Sequence, residues 1–105
     1  METFAVVAVI DGNTLEVSPA WELEDRTGNR VQVTGYDAPK TGRGRMAAGQ
    51  KLSVLIQNKR VELGSPRGVE QGRLVCEVYF QGRNLADYFP EYRERDSELL
   101  DEPED

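Results

Sequence analysis

From Lys40 to Arg60 the chain carries six cations, Lys40, Arg43, Arg45, Lys51, Lys59 and Arg60, and no acid. A cluster of one sign attracts a polyanion through its local field, whatever the net charge of the whole protein. Lys40, Arg43 and Arg45 flank Gly42 and Gly44, so an exposed, pliable loop there can follow a phosphate backbone, although solvated basic loops are also common. Arg73, directly after Gly72, has two readings: a clamp for a phosphate oxygen, or an ion pair with Asp37 or Asp11. Trp21, Tyr36, Tyr79 and Phe80 are rings on which the bases of a single strand could stack. Tyr36 and Phe80 fall within apolar strand patterns and read as core. Trp21 stands out in a polar stretch, but Glu22, Glu24 and Asp25 would repel phosphates, so that surface suits a protein partner better.

Residue types exclude other chemistries. There is no histidine, hence no imidazole base or ligand, and the single cysteine rules out an internal disulfide and a Cys-rich zinc site. Cys76 lies in the apolar run Leu74 to Phe80 and reads as a buried thiol. The net charge of −6 is unevenly placed: residues 1–90 hold eleven acids and eleven bases, residues 91–105 eight acids and two bases. The 105 residues suit one domain, a neutral body over 1–90 followed by an acidic tail over 91–105 that is expected to be partly disordered. No stretch approaches the ~20 apolar residues of a membrane-spanning helix. Phe4 to Ile10 is only strand-length and lacks the basic flank of a leader, so a cytoplasmic, monomeric protein without a membrane association is expected.

The elements that must position these residues follow from period and turn chemistry. Thr3 to Ile10 is rich in β-branched residues and stops at Asp11-Gly12-Asn13; Thr14 to Ser18 alternates, so the two pair as a hairpin. Pro19 to Asn29 reads as an acidic connection, with Trp21 extending a strand. Arg30 to Gly35 alternates again, Val31 and Val33 on one face and Gln32 and Thr34 on the other. Asp37 to Gly44 is a loop by its Pro and Gly content. From Arg45 to about Gln57 the period becomes helical, with Met46, Ala47, Leu52, Leu55 and Ile56 as the apolar stripe and Gly49 as a point of close packing. Val61 to Leu63 and Arg73 to Phe80 are strands separated by a loop over Gly64 to Gln71. Gln81-Gly82 is a turn, and Asn84 caps a short helix through Phe89. Five strands, a helix between the third and fourth and a short helix after the fifth match a mainly β protein, a Greek-key barrel of the OB type.

Three segments, Asp11-Gly12-Asn13-Thr14-Leu15, Val31-Gln32-Val33-Thr34-Gly35-Tyr36-Asp37-Ala38-Pro39-Lys40 and Gly72-Arg73-Leu74, together resemble the staphylococcal-nuclease-like (thermonuclease) family. Its pattern is an Asp-Gly-Asp-Thr turn after strand one, an arginine on strand three followed by Asp-(Ala/Thr)-Pro-Glu, a helix, and Gly-Arg opening strand five. The resemblance runs from about Phe4 to Phe89. In that family a calcium ion and two arginines surround the scissile phosphate, and a glutamate after strand three activates or positions the attacking water. The resemblance puts Asp37 at a calcium-binding aspartate, the Ala38 carbonyl at the next ligand and Arg73 at the second catalytic arginine. Asn13 replaces the other ligand aspartate, Gln32 the first arginine and Lys40 the glutamate.

The lysine matters most. An ammonium and a divalent ion ~5 Å apart repel by several kcal/mol at an effective dielectric of about 20, against the ~4 kcal/mol that a millimolar site is worth. What the resemblance then implies is an inactive nuclease fold with no catalytic residue and no cofactor. Asp37 and Asn13 would be vestiges of a metal site, and Lys40, Arg43, Arg45 and Arg73 contacts for single-stranded DNA or RNA. Two rival expectations stand beside it: a calcium- or other metal-dependent phosphodiesterase with a site rebuilt, for example, by Glu70, and a protein-interaction domain using the acidic hairpin around Trp21.

Overall fold

The computed structural model describes residues 3–92. Among them are eight strands and one α-helix: β1 (Phe4–Asp11), β2 (Thr14–Leu23), β3 (Arg26–Val33), α1 (Gly42–Ile56), β4 (Arg60–Leu63), β5 (Gly68–Glu70), β6 (Arg73–Cys76), β7 (Val78–Phe80) and β8 (Arg83–Asn84). Two 3₁₀ turns, Leu85–Tyr88 and Pro90–Tyr92, follow. The fold is mainly β, as expected. The strands form one mixed sheet in the order β5-β6-β3-β2-β1-β4-β7-β8, with the β3–β6 pair parallel and the others antiparallel. Alternation explains its inner face: Leu15, Val17, Val31, Val33, Val61, Leu74, Cys76 and Val78 are buried, whereas Glu16, Gln32 and Glu77 between them are only partly covered. No helix among the described residues is long and apolar enough to cross a membrane.

Several elements differ from expectation, each for a local reason. The β2–β3 hairpin continues past Ser18 through Trp21↔Gly28 to Leu23↔Arg26. A Cβ on Gly28 would stand 2.8 Å from the Trp21 ring, so this glycine lets the indole fold across the neighbouring strand. Trp21 is therefore only 2% exposed and donates Nε1–H to the Arg30 carbonyl at 2.7 Å. The expected outward Trp21 platform is corrected: the indole is core, while Glu22, Glu24 and Asp25 around it face water. The expected strand Arg73 to Phe80 is interrupted at Glu77, and its halves pair with different neighbours, β6 with β3 and β7 with β4. The expected loop Gly64 to Gln71 contains β5, paired with β6 through a turn in which Gln71 and Gly72 have φ of 53° and 77°.

The α1 stripe is rotated from the expected one. Ala48, Leu52 and Ile56, spaced i, i+4, i+8, are fully buried, while Met46 is 71% exposed. The close approach lies at Gly12, not Gly49: a Cβ on Gly12 would be 2.6 Å from the Cβ atoms of both Ala38 and Ala48, whereas one on Gly49 would meet its nearest neighbour at an ordinary 3.6 Å. Asn84 caps as expected, its Oδ1 accepting from Ala86 N–H at 2.9 Å. Glu91 and Tyr92, expected in the tail, pack on the body: Tyr92 stacks on Phe89 with centroids 5.9 Å apart, and Glu91 pairs with Lys51 at 2.8 Å. The rest of the expected tail, 93–105, lies outside the described residues.

Candidate nucleic-acid interface

The β1–β2 turn is the hub on which the sequence-predicted residues converge. With no side chain at Gly12, α1 and the loop after β3 close onto this turn. Tyr36, 3% exposed and stacked on Phe89 with ring centroids 4.6 Å apart, locks it by donating its hydroxyl to the Gly12 carbonyl at 2.6 Å. Burial, aided by the charge of Asp11, pushes the Tyr36 phenol well above its ordinary value, so it remains a donor.

Asn13 follows in the same turn and is 4% exposed. Its backbone N–H donates to Asp11 Oδ1 at 3.1 Å, and its Nδ2 lies 3.5 Å from the Tyr36 carbonyl. Its Oδ1 accepts from Lys40 Nζ at 2.7 Å, so two residues that the sequence resemblance singled out are bonded to each other. The second hub contact is Arg45 Nε, 4.0 Å from Asp11 Oδ2. Arg43 and Arg45 stand in the first turn of α1, which begins at Gly42, rather than in the pliable loop expected. That turn holds no acid, and Thr41 at the N-cap makes no side-chain capping bond. Asp37 is exposed and is tied through its backbone, its N–H donating to the Tyr92 carbonyl at 2.7 Å.

Gln32 pairs across the sheet with Thr14 on one side and Val75 on the other, and Arg73 pairs with Arg30 one step along the same face. Thr34 shares that face, as the alternation predicts, although it was not among the expected site residues. Gln32 Oε1, Thr34 Oγ1 and Arg73 Nε are all buried and meet no hydrogen-bond partner among the described residues. Arg73 pairs with neither Asp37 nor Asp11; its terminal nitrogen donates instead to Gln71 Oε1 at 2.9 Å. Lys51, Lys59 and Arg60, the remainder of the basic segment, are engaged elsewhere: Lys51 with Glu91, Lys59 over the Phe80 ring, Arg60 with Thr3. The basic segment thus divides, Lys40 bonding Asn13 and Arg45 approaching Asp11 in the turn, with Arg43 beside Arg45 at the start of α1.

Among the described residues no three His, Cys, Asp or Glu side chains come together as a metal group. No protein-family model matches the chain, and no curated protein matches it.

Proposed function

We propose that the chain is a staphylococcal-nuclease-like domain, its sheet curled into a five-stranded OB-type barrel, that binds single-stranded nucleic acid without hydrolysing it. The link between β6 and β7 supports the barrel. These strands sit at opposite sides of the sheet order, yet Glu77 alone separates them in the chain. The two pairings run up to the break, Thr34 N–H donating to Cys76 O at 3.0 Å and Gly64 N–H to Glu77 O at 2.7 Å. A sheet joined in this way has to bend back on itself. With β6 and β7 taken as one bent strand, the main strands are five.

The observation that carries the functional reading is the Lys40–Asn13 bond. Calcium binds six to eight hard oxygens, and here the Asn13 oxygen already accepts from an ammonium at 2.7 Å. A divalent ion beside it would meet the repulsion estimated above. The residues present do not fit calcium, and no hydrolytic step is derived through it. They do suit the backbone of a polyanion. Lys40 is bonded to a neutral amide, Arg43 meets no carboxylate within 4.0 Å among the described residues, and the partly exposed Arg73 guanidinium is bonded to the neutral Gln71 amide at 2.9 Å.

The test is fluorescence anisotropy of an end-labelled single-stranded oligonucleotide at low salt, with and without calcium, followed over time. The expected outcome is a stable rise that salt reverses and calcium leaves unchanged. Arg73→Gln should weaken binding and reduce the slope of log affinity against log salt by about 0.7, the value for one single-strand phosphate contact. A calcium-dependent fall with shortened product on a gel would establish a nuclease instead, and no rise would turn the search toward a protein partner.

A further inference from the structure

Beside the C-terminal half of α1 is a cleft of about 430 Å³ whose lining includes Lys51, Val54, Leu55, Lys59, Phe80 and Tyr88. Its apolar part is unusual for a surface: Val54, in the last turn of α1, is 81% exposed, and Leu55 and Tyr88 beside it are only partly covered. Two lysines border it. Lys51 Nζ stands 4.6 Å from the centroid of the Phe89 ring and Lys59 Nζ 5.9 Å from that of Phe80. Lys59 meets no carboxylate within 4.0 Å among the described residues.

We infer that this cleft is a docking site for the segment Ser97–Glu102 of the same chain, Leu99 and Leu100 resting against Val54, Leu55 and Tyr88 and the flanking acids meeting Lys51 and Lys59. Two observations select this occupant. The first is complementarity of pattern as well as sign: the cleft presents an apolar patch between two lysines, and the segment Ser-Glu-Leu-Leu-Asp-Glu presents two leucines between Glu98 and Asp101. The second is where the chain leaves the described body. Glu91 Oε2 accepts from Lys51 Nζ at 2.8 Å, so the last described residues already lie against one wall of the cleft. That bond also holds the Glu91 carboxyl below its ordinary value. Leu99 follows Tyr92 by seven residues, up to ~23 Å of extended chain, ample reach for a site that begins at Lys51. The inference does not depend on nucleic-acid binding.

Ser97→Cys in the full chain provides an attachment point for a nitroxide. Cys76 is buried and its thiol is pushed up to about 11, chiefly by burial, so the label goes to the introduced thiol. Amide spectra should lose intensity at Val54, Leu55, Lys59, Gln81 and Tyr88, and the combined Leu99→Ser and Leu100→Ser replacements should restore it. Val54→Glu, at a solvent-facing position that folding does not require to be apolar, should restore it as well. Loss centred on Lys40 to Arg45, or no localised loss, would overturn the assignment. Equal loss in a mixture with nitroxide and isotope on different copies would give the cleft to a second copy and overturn it too.

Discussion

One amide oxygen, Oδ1 of Asn13, decides what the site can hold. As the acceptor of the Lys40 ammonium at 2.7 Å it is satisfied, buried and electrically neutral. An aspartate there would make an ion pair, and a glutamate at Lys40 with the asparagine kept would remove the bond's donor. The buried groups around the hub also titrate in a way that tests the packing. Burial raises the Cys76 thiol from 9.0 to about 11, against a lowering contribution from the Gly64 backbone, with Glu77 adding to the rise. Tyr36 is raised as well, first by burial and then by Asp11. Both groups are neutral when protonated, and each holds its proton more tightly in the folded state. Above pH 9 the unfolded chain therefore binds fewer protons than the native one, and stability falls as pH rises. The stabilisation linked to these groups is complete below pH 9.0 and that from Cys76 is lost through about 11. Urea midpoints measured across this window should decline, and Cys76→Ala should make the decline shallower. A flat profile would contradict the burial of both groups.

At the scale of elements, α1 is seated by small residues. Ala48 faces Gly12 and Ala38, and any side chain at position 12 would push helix and turn apart by way of two Cβ atoms 2.6 Å away. Gly12→Ala should cost about 1–3 kcal/mol, the range for overpacking a core. Gly49→Ala should be neutral or stabilise by up to about 1 kcal/mol, because its Cβ has room and alanine favours the helix. Denaturant midpoints of the two variants order them; a Gly49→Ala loss equal to that of Gly12→Ala would mean the helix is seated differently. This pair also shows how far the sequence could be read. The helix itself, the β1–β2 hairpin, the outward parity of Gln32 and the Asn84 cap were all legible from period and turn chemistry. The face of α1 was not, because Met46 and Ala48 are both apolar and only the tertiary contact with Gly12 chooses between them. Trp21 was misleading for a similar reason: its neighbours in sequence are acids, but its neighbour in space is Gly28 across the hairpin. The Lys40–Asn13 bond spans 27 residues and has no local signal; the matched motifs brought the two positions to notice, and the 2.7 Å contact gives them their relation.

Charge ties these features together across the molecule. Residues 1–92 hold twelve acids and eleven bases, whereas the whole chain carries −6, so the segment beyond Tyr92 supplies nearly all the net charge. Lys40, Arg43 and Arg45 stand at the Asn13 end of the body and Lys51 and Lys59 line the Val54 cleft, and the docking inferred above would hold the acidic segment's charge at the second. Within a Debye length of ~10 Å at ~0.1 M salt, the field of that charge opposes the approach of a nucleic acid. Truncation after Tyr92 keeps Glu91 on Lys51 and the Tyr92–Phe89 stack, so the described body stays whole. It should tighten binding of a single-stranded oligonucleotide several-fold at low ionic strength, and the gain should fade as salt is raised toward ~1 M, where the Debye length is about 3 Å. Anisotropy titrations of the two chains at matched salt measure this directly. Equal affinities at low salt would separate the acidic segment from nucleic-acid binding.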